Sequence, residues 1–594
     1  MIKPQPIFAA DIQALSLFRI LFGLVILADF IIGFLPTRLD FYHDTGFLPR
    51  AAINSFAEKY DGGDGHISLF DFFDGIWFLE LFTWVYGIAI VTFILGYQTR
   101  ITKGVLLICY LSMQHRGYPV QIGADMLMGL LVVWSCFVPL NRYWSVDSAL
   151  RRTPRPIDVP PIFMAGIKMQ IIMLYLFSGL FKVYGNEWWD GRAIGYAMRD
   201  TSYGTVFGDW LATQLPWLST MLSTPVMIFQ ICFSLLIYSP VLNIYTRSFA
   251  LIGAVLMHVA FIACLAVGLF PFVCLSYLVL LIPDTWWNAL LAKRRARLET
   301  IKLYFDPGCA FCEKIALLLR EMCLSPFTQV LPADRDLAIH QMLQQHHSWV
   351  VVDETTGKTY LKWRAVAFVL RQNPLTYMVG LITNLELVQK QFASFYDWIG
   401  RQRGAFAMIT ARMLPFNDTP ERPAHVATKI LCAVMIGAAF ANNIAVLPPF
   451  AENQRLEIVR DTARVLQVFQ KWNLFAPSIV RWQYHYALEG LTSDGKRIDL
   501  MPLLLGRNIH KSDDGRLTYT STRWHKYFVH LLDKNKVRLA DRFMEKLCVD
   551  YNTTKTGAGA PRISIVFLQR TLVAVDADQT KQRERKREHS YFCP

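Results

Sequence analysis

The stretch "MQIIMLYLFSGLFKVYGNEWWDG" (residues 169–191) decides how this chain folds. Its first part is an apolar run of helical length, closed by Lys182 and followed at once by tryptophans, an aspartate and a glycine. That pattern is a helix inside a bilayer that ends in an aromatic turn at the membrane–water boundary. Composition points the same way. The 594 residues are 53% hydrophobic, 14% aromatic and only 18% charged, and the mean hydropathy is +0.29. Too few polar residues are present to cover a soluble surface of this size, and a disordered chain is excluded.

Further apolar runs lie on either side, at about 12–35, 76–97, 103–115, 124–140, 162–183, 222–242, 247–268 and 270–285. Some are shorter than the roughly 20 residues that a lone spanning helix needs, so they must be tilted, shielded by neighbours or longer than the pattern suggests. The formal net charge is +14, from 60 Lys and Arg against 46 Asp and Glu. The basic residues cluster beside apolar runs: Arg100 and Lys103; Arg142 with Arg151, Arg152 and Arg155; Arg247; and Lys293, Arg294, Arg295 and Arg297. Alternate connections carry these clusters, which suits the positive-inside rule rather than a nucleic-acid partner. The N-terminus and those connections are therefore expected in the cytoplasm, and residues 36–75 and 184–221 outside. The first run continues into Asp29 without a small-residue cleavage site, so it is expected to remain as an anchor.

From residue 299 to 410 the chain becomes charged, and "IKLYFDPGCAFCEKIALLLREM" (301–322) reads as a strand, a tight turn and a helix. A further span is expected within 420–448, and 449–594 then forms a second extramembrane domain with strands at "RWQYHYALEGL", "RIDLMPLLL" and "ISIVFLQRTLVAV". The tail "KQRERKREH" (581–589) is expected to be a solvated, disordered end. Cys548 and Cys593 both lie beyond the last span, where an oxidising compartment permits a disulfide.

Several side chains carry chemistry. Lys182 is either an anchor whose head reaches the interface or a catalytic base, because a water-poor setting favours the neutral amine. His258 lies inside an apolar run, where it is either a hydrogen-bonded core residue or part of a reaction site. By this topology both belong to the outer half of the bilayer. His115 and Arg116, near Asp125, form either an interfacial ion-paired cap or, with Trp188, a set of substrate contacts. In "DPGCAFC", Cys309 and Cys312 stand at a helix start beside Asp306, where they are either a redox pair whose thiolate the free N–H groups stabilise or two unreactive buried cysteines. No second ligand pair stands at metal spacing, so no zinc site is expected.

The segments "SLFRILFGLVILADF" (16–30), "LGYQTRI" (95–101), "NRYWSVDSAL" (141–150), "LFSGLFKVYGNEWWDG" (176–191) and "MHVAFIACLAVGLFPF" (257–272) resemble, in order and spacing, the vitamin K-dependent gamma-glutamyl carboxylases. They equally resemble the bacterial relatives of those enzymes, the horizontally transferred transmembrane (HTTM) domain family. The resemblance implies that Lys182 is the base that starts oxygenation of reduced vitamin K or another quinol, and that His258 lies in the reaction pocket. O2 and CO2 would be co-substrates, and no metal is implied. The carboxylases' second histidine has no counterpart here, since "QIGADMLMGL" places Ala124 or Asp125 at that position. "DPGCAFC" and the later "KTYLKWRAVAFVL" (358–370) resemble the DCC family of thiol-disulfide oxidoreductases, which implies a thioredoxin-like fold and a thiol redox partner. "KWNLFAPS" (471–478) resembles a segment that follows the last span in the membrane family, and its aromatic and proline residues suggest an interfacial anchor.

The expected fold is therefore a multi-pass α-helical protein of an inner (plasma) membrane, with a cytoplasmic thioredoxin-like α/β insertion and a β-rich external domain. The expected function is a quinol-dependent membrane enzyme with membrane lipid around it and a secreted peptide or protein as substrate. The alternatives are a non-catalytic factor for peptide maturation or export, and a transmembrane thiol/quinone electron carrier. The topology is testable: a reporter fused near Glu313 should be cytoplasmic and one near Gly490 external, whereas finding both on one side would remove the insertion scheme.

Overall fold

The computed structural model describes residues 12–53, 67–152, 159–200, 203–325, 327–346, 348–373, 376–417, 424–479, 482–507, 509–511, 517–519, 521–531, 537–554, 561–574 and 584–594. Arg155 and residues 581–583 of the basic tail lie outside these. Among the described residues, six helices are long and apolar enough to cross a membrane: Ile12–Phe41, Gly75–Leu95, Pro161–Val183, Pro216–Tyr238, Asn243–Cys264 and Val426–Ala445. Three of the expected spans are not among them. Gly123–Ser135 and Phe270–Leu281 are apolar but short. Thr99–Arg116 is long enough but carries too many polar residues. Shielding explains the first case: nearly every residue of Gly123–Ser135 is buried among its neighbours, so its length need not match the bilayer.

The sequence segments at 16–30, 95–101 and 141–150 turn out to be one locking device. Arg19, buried in the first span, donates through Nη1 to the Leu140 carbonyl at 2.7 Å and through Nη2 to that of Trp144. Asp147 accepts from the Gln98 and Thr99 amides at 2.7 and 2.9 Å, satisfying N–H groups that a helix start leaves free. The first span, the start of helix Thr99–Arg116 and the stretch 140–147 after helix Gly123–Ser135 are thereby tied at one end of the body.

The unit that follows packs on this end. Strands β1 (Ile301–Phe305), β2 (Gln329–Pro332), β3 (Val350–Asp353) and β4 (Lys358–Leu361) form a sheet in the order β2-β1-β3-β4. β1 and β2 are parallel; β3 runs antiparallel to β1 and β4 antiparallel to β3. Helix Ala310–Cys323 follows β1 directly. Its Glu321 accepts from the Trp144 amide at 2.9 Å, and Tyr97 donates to the Met413 carbonyl at 2.5 Å.

The C-terminal domain packs on the opposite end. Strands β5 (Trp482–Thr492), β6 (Arg497–Asp499), β9 (Ile563–Ala574) and β10 (Glu584–Phe592) form a sheet in the order β10-β9-β5-β6, beside a small β7 (Ile509–Lys511)–β8 (Leu517–Tyr519) hairpin. Two helices, Thr522–Leu531 and Val537–Thr554, complete it, so the domain is mixed rather than simply β-rich. Only Arg497–Asp499 of "RIDLMPLLL" is a strand, and Met501–Leu503 turns into a short 3-10 helix. The tail also differs from expectation. Glu584–Phe592 pairs along β9 as an ordered strand, fastened by a 2.6 Å contact between His589 and Asp541 and by a Cys548–Cys593 disulfide to helix Val537–Thr554. Backbone pairing and a covalent tie outweigh the solvation of its charges.

Arg523 joins this domain to the membrane helices. Buried at 2% exposure, its Nη2 lies 3.1 Å from Asp29 and 3.6 Å from Asp125. Tyr527 adds a bond from its hydroxyl to the Phe47 carbonyl at 2.8 Å, and Trp524 packs on Phe41 with ring centroids 4.7 Å apart. Removing one member of a buried ion pair leaves the other charge without compensation, at a cost of about 3–5 kcal/mol. Arg523→Ala should therefore lower thermal stability in detergent and expose the C-terminal domain to protease. An unchanged melting temperature and cleavage pattern would exclude this role.

Candidate functional site

Lys182 ends helix Pro161–Val183 and is buried. Gly179, one turn earlier, lets this helix approach Pro216–Tyr238 closely: a Cβ there would come within 2.6 Å of Ile231. Lys182 Nζ donates to the Ser178 carbonyl at 3.1 Å and lies 4.9 Å from the centroid of the Trp188 ring. Trp188 is itself held, since its indole N–H donates to the Phe475 carbonyl at 3.0 Å.

Phe475 belongs to "KWNLFAPS", which is more than the expected interfacial anchor. Gln470, just before it, is fully buried and exchanges bonds with Gln170 in the middle of a span, at 2.7 Å from Gln170 Nε2 to Gln470 Oε1. Trp134 and Trp472 donate their indole N–H groups into the same pair at 3.1 and 2.6 Å, and Asn442 donates to the Gln470 carbonyl at 2.8 Å. Non-helical backbone at membrane depth is tolerated only where protein buries it or where it lines a cavity, and this segment meets both conditions. Gly185 leaves the space that the Pro477 carbonyl fills, because a side chain there would overlap it. The turn after Lys182 and the re-entrant segment therefore fit each other directly.

Together they form part of the wall of a cavity of about 1190 Å³. Its walls come from helices Thr99–Arg116, Gly123–Ser135, Pro161–Val183, Pro216–Tyr238 and Asn243–Cys264, from residues between 194 and 203 and between 464 and 478, and from Lys526 and His530 of the C-terminal domain. Lys182, Trp188 and His258 all line it. His258 Nε2 lies 2.8 Å from the Tyr175 hydroxyl, and Tyr175 stacks on Phe233 with centroids 4.0 Å apart. The other ring nitrogen, Nδ1, is buried with no protein partner, as is Oε1 of Gln230 in the same walls. Buried polar atoms seldom remain unbonded. These two are suited to the oxygens or hydroxyls of a ligand.

The remaining candidates separate. His115 lines the cavity but bridges the Ile67 carbonyl at 2.7 Å and the Gln467 side chain at 3.2 Å. Arg116 lies outside it, bonded to the Leu48 carbonyl at 2.8 Å and to Asp44 at 3.2 Å. Asp125 also lies outside: it accepts from the Ile122 amide at 2.8 Å as a helix cap and faces Arg523. Both charges hold loops and domains together, and neither reaches the cavity. Tyr175 and Gln230 did not emerge from the sequence, where the only signal is a polar group within an apolar run. "KWNLFAPS" did, but as an anchor, since nothing local marks it as a cavity wall.

The cysteine pair lies elsewhere. Cys309 caps helix Ala310–Cys323, is bonded to Cys312 with a Cα–Cα distance of 5.2 Å, and is partly exposed, whereas Cys312 is buried. Asp306 accepts from the Gly308 amide at 3.1 Å and faces Arg403 at 3.8 Å. No described residue of 299–410 lines the cavity.

Residues 8–286 match the HTTM domain family. No solved structure matches the chain. The exposure difference between the thiols has a direct consequence: after reduction, Cys309 should react first with an alkylating agent at neutral pH and Cys312 should act as its resolving partner. Equal, slow alkylation of both would show them to be structural.

Proposed function

We propose that this chain is a membrane enzyme that uses Lys182 as the base in oxygenation of a reduced quinone, in the manner of the vitamin K-dependent carboxylases. The observation that carries this reading is that Lys182 and His258, far apart in sequence, line one cavity whose walls are mostly apolar. The HTTM match over residues 8–286 supports it. A quinol fits such walls: an apolar ring and tail suit the helices, and its oxygens have Lys182 Nζ, His258 Nδ1 and Gln230 Oε1 to meet them. When bound, the quinol supplies the electrons that reduce O2 and generate a strong base.

Each residue then has a task. Lys182 Nζ, held by the Ser178 carbonyl, accepts a proton from the ligand hydroxyl. Tyr175 orients His258 through Nε2, so that Nδ1 faces the ligand oxygen. Trp188 and the re-entrant segment keep water from the amine, which a strong base generated nearby requires. The position of the carboxylases' second histidine falls at Ala124 or Asp125, and Asp125 is committed to Arg523. The reading is therefore strongest for quinol oxygenation and proton abstraction; carboxylation with CO2 would need a different partner base. A secreted peptide or protein is the proposed acceptor.

We propose further that residues 299–410 are a thioredoxin-like, DCC-type thiol-disulfide unit. The β2-β1-β3-β4 order, the parallel β1–β2 pair and the cysteines at the start of the helix after β1 support this. Because no described residue of the unit lines the cavity, the two proposed activities have separate sites rather than a direct thiol–quinol contact.

Purified protein supplied with a reduced naphthoquinone and O2 should form quinone epoxide or peroxide. Lys182→Ala and Lys182→Arg should each lower that rate by about 10² or more while leaving the protein inserted and folded. Arginine reaches the interface as lysine does but cannot shed its proton, with a pKa above about 12. Near-normal turnover by Lys182→Arg would therefore exclude the base role.

A further inference from the structure

The helices that close the 299–417 unit do not have the surface of a water-facing domain. Tyr377–Ile382, Glu386–Arg401 and Arg403–Met413 follow one another, and large apolar side chains project from them into the open: Met378 is 62% exposed, Leu385 57%, Phe395 50%, Trp398 46%, Met408 72% and Met413 60%. A soluble domain seldom leaves so many large apolar groups together on its surface. Lys390, Arg401 and Arg412 are exposed on the same helices. The acidic residues there are Glu386 and Asp397, and Asp397 is engaged with Lys362 at 2.9 Å. The surface is thus apolar with a basic fringe.

Its position in the chain says what covers it. The Met413 carbonyl accepts from Tyr97, which stands two residues beyond the end of the span Gly75–Leu95. The Asn417 amide donates to the Leu150 carbonyl at 2.9 Å, and the span Val426–Ala445 begins a few residues later. Helix Arg403–Met413 therefore ends at the level where two spans leave the bilayer. Its other side is built into the redox unit: Phe406 stacks on Phe311, between the two cysteines, with centroids 5.4 Å apart, and Trp398 meets Phe406 edge-on at 5.8 Å.

We propose that residues 377–413 form an interfacial platform that lies in the surface of the same membrane, with its apolar side chains at the headgroup–acyl boundary and Lys390, Arg401 and Arg412 against anionic lipid headgroups. Apolar area and basic charge are the two contributions that hold amphipathic helices on anionic bilayers. The platform keeps the cysteine pair at a set height above the membrane, so its thiol partner must approach from the remaining directions. This holds whatever the cavity catalyses.

Photo-crosslinking in the full chain tests it. Trp398 and Met408 are replaced, one at a time, by p-benzoylphenylalanine, and the protein is placed in vesicles of phosphatidylcholine with or without phosphatidylglycerol. Leu235, 71% exposed on a span, serves as the inserted reference, and Leu337, 73% exposed on helix Leu337–His346, as an apolar position off the platform. Lipid adducts at 398 and 408 should exceed those at 337 several-fold and rise further with phosphatidylglycerol. Adducts at the level of 337 while 235 labels normally, or adducts to protein instead of lipid, would overturn the proposal. Labelling that does not respond to phosphatidylglycerol would overturn the role of the basic fringe.

Discussion

The contact on which the arrangement of this protein depends is the buried guanidinium of Arg523 between Asp29 and Asp125. One carboxylate comes from the first span, the other from the start of the shielded helix Gly123–Ser135, and the cation from a domain that follows the last span. Relative to apolar packing such a cluster adds little net stability. Any displacement that separates its members, however, strands a charge in a water-poor place. The C-terminal domain is thus held in one register on the membrane helices. Because Lys526 and His530 lie on the same helix as Arg523, that register also determines what closes the cavity around Lys182 and His258.

A second polar device does similar work inside the body. Gln170 and Gln470 satisfy each other and the indoles of Trp134 and Trp472, so an irregular segment can enter between spans with these buried side chains bonded. Through Phe475 and Trp188 the segment reaches the amine of Lys182. At the far end, Arg19 and Glu321 organise the loop around Trp144, on which the cysteine-bearing helix rests. The cavity and the thiol pair are therefore built on opposite ends of one helical body, each secured by a buried charge.

Much of this was legible in the chain itself. Apolar run length, basic clusters and the break in character at residue 299 mark the long spans and the two extramembrane parts, because bilayer thickness and the cost of unsatisfied backbone constrain local sequence strongly. The strand–turn–helix around Cys309 and Cys312 was readable for the same reason, since turn and helix-start residues act locally. Lys182 and His258 stood out as ionisable groups in apolar runs, although that signal could not tell a ligand-facing side chain from a satisfied one.

What the sequence by itself determined is therefore the long apolar spans, though not which shorter apolar runs are shielded inside the body, and the residues expensive enough to need a reason. Tertiary structure alone decided which of those charges meet one another. Arg116 and Asp125 looked like site residues and are ion-paired supports, whereas "KWNLFAPS" looked like an anchor and is part of the cavity wall. The basic tail looked solvated, and from Glu584 onward it is an edge strand tied down by a disulfide. In each case the partner lies far away in the chain, from about 50 to 400 residues for Asp541 and Arg523, and no local pattern encodes the neighbour that satisfies a polar group.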